Sequence, residues 1–285
     1  MSGFAIRNLK VFFKDRTAVF FSLLSVFIII GLYALFLGDV WVKSFEGLTG
    51  VRYLMDSWII AGLLAVTSIT TTMGAFGTMV EDRVKKLSKD FSASPLRRSS
   101  IVGGYTLSSF IIGVIMSLVT LVLAEVYVVA YGGELISPAA LVKVIGLILL
   151  STFTNTSIVL FITSLFNSMN AFATASTIIG TVIGFLTGIY LPIGQLPAGV
   201  QWAIKLFPVS HAAALLRQEL TAAPLAATFA GAPQAAVDDF TNFLGITYKI
   251  GDTILSPRAS IGVLLVTAAV FYALSLFVIS RKKDR

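Results

Sequence analysis

The 285 residues are 56% hydrophobic and 12% charged, with a net charge of +7 and no cysteine. Soluble domains carry about 25% charged residues, so this composition excludes an ordinary water-soluble globule and places the chain in a membrane. The missing cysteines exclude a disulfide framework, a thiolate nucleophile and a cysteine metal site. The basic excess belongs to the loops of one membrane face and not to nucleic acid, because no basic stretch interleaves with exposed aromatics.

The first element is "FAIRNLKVFFKDRTA" (4–18). Phe4, Ile6, Leu9, Val11, Phe12 and Phe13 alternate with Arg7, Lys10, Lys14 and Arg16, the pattern of an interfacial helix over residues 1–16. It leads into "TAVFFSLLSVFIIIGLYALFL" (17–37), 21 residues without a charge. A bilayer core of about 30 Å needs about 20 helical residues, and a helix satisfies its own backbone there. The run exceeds the roughly 7–15 apolar residues of a secretory signal, and no small-residue cleavage site follows, so it is expected to remain as an anchor.

Span 2, Ser57–Met79, contains "TSITTT" (67–72). In the loop "EDRVKKLSKDFSASPLRRSS" (81–100), Val84, Leu87 and Phe91 recur at helical spacing, and Pro95 should end that helix near Ala93. Such a helix either lies on headgroups or docks a soluble partner. Span 3, Ile101–Tyr131, is longer than a bilayer requires. Glu125, 24 residues beyond Ile101, stands about 36 Å along that helix and should reach the far interface as a snorkelling carboxylate.

Span 4, Val144–Phe166, contains "STFTNTS" with Asn155. Span 5, Asn170–Tyr190, carries Thr174, Thr177 and Thr181, and small residues every fourth position at Ser176, Gly180, Gly184 and Gly188. That spacing lets helices approach closely, within the chain or between subunits. The stretch that follows, "LPIGQLPAGVQWAIKLFPVSHAAALLRQEL" (191–220), is cut by Pro192, Pro197 and Pro208, which cannot continue a helix. Between the breaks, Val200, Ala203, Ile204 and Phe207 define one apolar face. Broken backbone at membrane depth is tolerated when protein or a water-filled cavity surrounds it, so a re-entrant cap is expected, with His211 as a structural support. Residues 221–257 hold no span and should pack over the cap as short helices. Span 6 is Ile261–Ser280.

Six spans leave both termini on one side. That side carries fourteen basic residues, among them Arg7, Lys10, Lys85, Lys89, Arg97 and Lys282, against seven on the other (Lys43, Arg52, Lys143, Lys205, Arg217, Lys249 and Arg258). The excess marks the termini as cytoplasmic. Trp41, Tyr53, Trp58, Tyr127, Tyr131, Tyr190 and Trp202 then fall at the outer boundary, as an aromatic belt would.

No G-x-x-x-x-G-K-[ST], H-E-x-x-H or Ser-His-Asp grouping is present. Apart from Glu125 the spans hold no ionisable group, which disfavours an ion-coupled carrier or channel. A membrane-embedded transferase would have only Glu81 and Asp82 to work with.

The basic N-terminus, the six spans and "SPLRR" after span 2 resemble ABC-2 type permeases. Above all, so does "NAFATASTIIGTVIGFLTGIYLPIGQLPAGVQWAIKLFPVSHAAALLR" (170–217). The resemblance implies one all-α transmembrane domain over 1–285, with an interfacial helix (1–16), a coupling loop (80–100) and an extracytoplasmic cap (191–257), in a bacterial-type plasma membrane. It implies an exporter of hydrophobic or amphipathic cargo: a drug, lipid, peptide or lipid-linked glycan. The chain would pair with a second copy or a related permease, and separate P-loop ATPase subunits would hold ATP and magnesium. A coupling helix at about 81–91 would place Glu81, Asp82, Arg83, Lys85, Leu87, Phe91, Pro95, Leu96 and Arg97 at the ATPase. Thr67, Thr71, Asn155 and Thr174 would line the pathway.

Overall fold

Asp15 separates the first two helices. Its carboxylate accepts the Ala18 amide at 2.9 Å and starts α2 (Arg16–Leu32) immediately after α1 (Ser2–Lys14). In this computed structural model, which describes residues 2–45, 47–87, 91, 98–251 and 253–281, α2 continues through a π-turn at Tyr33–Leu37 into α3 (Gly38–Ser44). The first span is therefore longer than the charge-free run.

The remaining long helices are α4 (Val51–Val84), α5 (Arg98–Ala130), α6 (Pro138–Leu165), α7 (Met169–Leu186) and α12 (Pro257–Arg281). With α2–α3 they make six segments long and apolar enough to cross a bilayer. The axis is α4: 89% of its most apolar window is buried, against 11% for α2–α3 and 17% for α7. Helices α5, α6 and α7 pack on it, and α12 packs on α6. A methyl group at Gly113 of α5 would fall 2.7 Å from both Thr72 Oγ1 and Thr152 Cγ2, so only glycine lets these three backbones meet.

Gly188, at φ +67°, ends α7 in a left-handed turn. A 3-10 turn (Ile193–Gln195), α8 (Ala198–Leu206) and α9 (Pro208–Leu220) follow. The three prolines open these pieces: Pro192 and Pro197 precede the first two, and Pro208 is the first residue of α9. Helix α9 is buried along most of its length among α4, α6 and α12. After it come α10 (Ala222–Thr228), α11 (Gln234–Phe243) and an antiparallel pair, β1 (Lys249–Ile250) and β2 (Thr253–Ile254), with Lys249 opposite Ile254.

Two expectations change. The expected apolar face of α8 is buried at Ile204 and only half-buried at Phe207, while Val200 and Ala203 are exposed. Polar anchors set its rotation: Gln201 donates to the Leu196 carbonyl and Lys205 to that of Lys249. Trp58 is no belt residue. It is fully buried and donates its indole N–H to the Leu244 carbonyl at 2.8 Å.

Candidate functional site

At the end of the bundle that carries both termini, α1 lies against the start of α5. Phe4 covers Gly104, where a methyl group would fall 2.7 Å from its ring, and meets Tyr105 edge-on at 4.9 Å between centroids. One turn later Arg7 reaches the last turns of α4. It donates to both oxygens of Asp82, at 2.5 and 3.0 Å, and Tyr105 donates its hydroxyl to the same carboxylate at 2.5 Å. Asp82 is 3% exposed, so three elements share one buried charge. Its hydrogen bonds hold the Arg7 guanidinium above the ordinary arginine pKa. No local spacing signals this joint, because its partners are 75 and 23 residues from Asp82.

Arg83 turns the other way and donates to the Phe166 and Thr163 carbonyls, which end α6 and attract a cation. Glu81 stays at the surface in an i,i+4 pair with Lys85. A continuous coupling helix from Glu81 to Phe91 does not form. Helix α4 ends at Val84, the Lys85 and Lys86 amides close onto the Glu81 and Arg83 carbonyls, and Lys86 adopts φ +61°. Beyond this break, Phe91 lies against α1. Leu87 is half-buried. The Phe91 ring lies 5.1 Å from that of Phe4, with the Arg7 guanidinium over it at 5.3 Å. Pro95, Leu96 and Arg97 lie outside the described residues.

The residues expected to line a pathway divide. Thr67, Thr71 and Asn155 are each at most 1% exposed, and Asn155 sits in a packed seam between α4 and α6. Asn155 Nδ2 donates to Ser68 Oγ at 2.7 Å, Ser68 and Ser151 hydroxyls meet at 3.0 Å, and Thr71 bonds the Thr67 carbonyl. Thr174 instead stands on the open face of α7, in line with Thr177 and Thr181, and all three are exposed. The small-residue row on α7 divides too. Tyr190 lies over Gly184, Gly188 makes the turn, and a methyl group at Gly180 would meet nothing. Ser176 bonds the Phe172 carbonyl.

At the opposite end, α4 carries a second polar joint. Arg52 donates to Asp56 at 2.9 Å and to Asp39 at 2.8 Å, and Tyr127 donates to Asp56 at 2.9 Å. Asp56 is 1% exposed, so acid is buried near both ends of α4, contrary to the expectation that the spans hold only Glu125. The i,i+4 spacing of Arg52 and Asp56 was the readable signal. Arg217 of α9 lies beyond this joint, fully buried. It stacks over the Trp58 ring at 4.6 Å and donates to the Thr187 carbonyl at 2.7 Å. No carboxylate faces it among the described residues, and burial pushes its pKa down to about 10. His211 is held on both sides, by the Lys205 carbonyl at Nε2 and Ser260 Oγ at Nδ1. Burial lowers its pKa.

Among family comparisons, residues 40–277 match the model of a family described as "ABC-2 family transporter protein". A comparison with curated proteins found no match.

Proposed function

The chain belongs to the ABC-2 family of transporter proteins, and from that premise we propose that it is the permease subunit of an ATP-driven exporter. Membership and six apolar helices make it a multi-pass transporter membrane subunit, and the family implies association with ABC ATPases. The Arg7–Asp82–Tyr105 joint carries the coupling reading. It fastens the N-terminal interfacial helix, the end of α4 and the start of α5 around the loop that begins at Lys85. A push on that loop therefore moves three elements together.

ATP and magnesium bind the partner ATPase. Its closure displaces the loop, and α4 carries the displacement to the cap, because Trp58 and Asp82 sit 24 residues apart on one helix, about 36 Å. The termini are cytoplasmic, and residues 191–257 form a re-entrant extracytoplasmic cap. Helices α2 and α7, the least buried spans, face a second permease. Thr174, Thr177 and Thr181 line the pathway between the copies, which suits amphipathic cargo such as a drug, lipid, peptide or lipid-linked glycan. An ion-coupled carrier is disfavoured because Asp56 and Asp82 are paired with arginines near the ends of α4, away from mid-membrane, where a coupling site belongs.

The test is Asp82→Asn in the complex with its ATPase. Transport is expected to fall about tenfold with the complex still assembled. Unchanged transport would remove Asp82 from the coupling route.

A further inference from the structure

Beside the Arg52–Asp56 joint lies a partly open pocket of about 300 Å³, lined by the start of α4, the end of α5, the 131–137 connection, the start of α6 and the α9–α10 junction. Three carboxylates line it, Glu125, Glu134 and Glu219, against one cation, Lys143, which is committed to Glu219 at 3.1 Å. Glu125 is half-buried and fixed in place: its Oε2 accepts the Ile136 amide at 3.0 Å, which leaves Oε1 without a partner among the described residues. Ser57, 4% exposed, also lines the cavity. Ser68, Thr71 and Thr72 on the same helix bond carbonyls within one turn, but the Ser57 hydroxyl makes no hydrogen bond among the described residues. Ile60, Val128 and Leu220 supply an apolar wall.

An excess of negative charge, idle acceptors and an apolar wall call for a ligand with N–H donors, positive charge and a short hydrocarbon part. A bare metal ion fits poorly, because no group of three or more acidic or histidine side chains among the described residues is close enough to hold one. We propose that this cavity binds an organic ammonium group. The inference is independent of the transport reading. The ammonium can come from a lipid headgroup such as ethanolamine, reached from the interface, or from a free amine.

The test uses the full chain in phosphatidylglycerol nanodiscs, titrated calorimetrically with phenethylammonium and with neutral 2-phenylethanol. The ammonium is expected to bind at least about tenfold more tightly. Glu125→Gln and Glu134→Gln should each abolish that preference. Glutamine retains a carbonyl for the Ile136 amide, and Glu134 is exposed, so if Glu125→Gln fails to fold, Glu134→Gln decides the matter. Including phosphatidylethanolamine in the discs separates the sources. Competition supports the headgroup, and an unchanged affinity supports the free amine. If the two probes bind alike, if neither binds, or if Glu134→Gln keeps the preference, the proposal is overturned.

Discussion

Arg217 carries a positive charge into the packed interior beside Trp58. Read along the chain, it is one more basic residue on an outer loop. In the fold it is a fully buried guanidinium stacked on Trp58, bonded to the carbonyl that ends α7. Arg217→Ala would leave that carbonyl unpaired and open a hole beside Trp58. A loss of about 3 kcal/mol is expected, visible as a lower thermal midpoint with tryptophan fluorescence as the probe. His211 gives a pH dependence. Burial holds its folded-state pKa below the ordinary 6.5, so the unfolded chain takes up its proton first as pH falls. Its contribution is complete above about pH 6.5 and is lost as pH drops from there through the folded-state value. The thermal midpoint should decline over that window, and His211→Gln should flatten the decline. An equal decline in the variant would place the titrating group elsewhere.

Among elements, apolar run length carried most of the information. Spans 2 to 6 appear where the runs lie, and the three prolines open the helices that local backbone chemistry says they should. What stayed hidden was set by distant partners. Helix α4 extends beyond its apolar run at both ends because Asp82 is paired with Arg7 of α1 and bonded by Tyr105 of α5, while Asp56 is paired with Arg52 one turn earlier on α4 and bonded by Tyr127 of α5. The stop at Lys85–Lys86 and the contact of Phe91 with Phe4 of α1 could not be read from the spacing of Val84, Leu87 and Phe91. The rotation of α8 depends on the Lys249 carbonyl, far along the chain. Two glycines test the packing directly. Gly113→Ala would push a methyl group into Thr72 and Thr152, both fully buried, and should cost about 1–3 kcal/mol. Gly180→Ala meets open space and should leave the isolated subunit as stable or slightly more so, since alanine is the better helix former by about 1 kcal/mol. If that same change weakens association of two permeases, measured by crosslinking yield, the open face of α7 is the subunit contact.

For the whole molecule, membrane class, number of spans and family were all legible, because each depends on properties summed over many residues. The functional geometry was not. Three of the four residues singled out for a pathway are buried within the bundle: Asn155 bonds Ser68 across the α4–α6 contact, Thr71 bonds the Thr67 carbonyl within α4, and the Thr67 hydroxyl has no partner among the described residues. A small polar side chain in a span reads the same in sequence whether it faces a neighbour or a route. The end carrying the Arg7–Asp82–Tyr105 joint is the proposed point of coupling to an ATPase. The direct measurement is affinity capture of the tagged chain from native membranes after mild crosslinking, with mass spectrometry of what remains bound. A P-loop ATPase in stoichiometric amount, lost on Leu87→Glu combined with Lys85→Glu while the chain stays folded, is the expected result. A folded, transport-active preparation that retains no ATPase would show that the chain is not coupled to one.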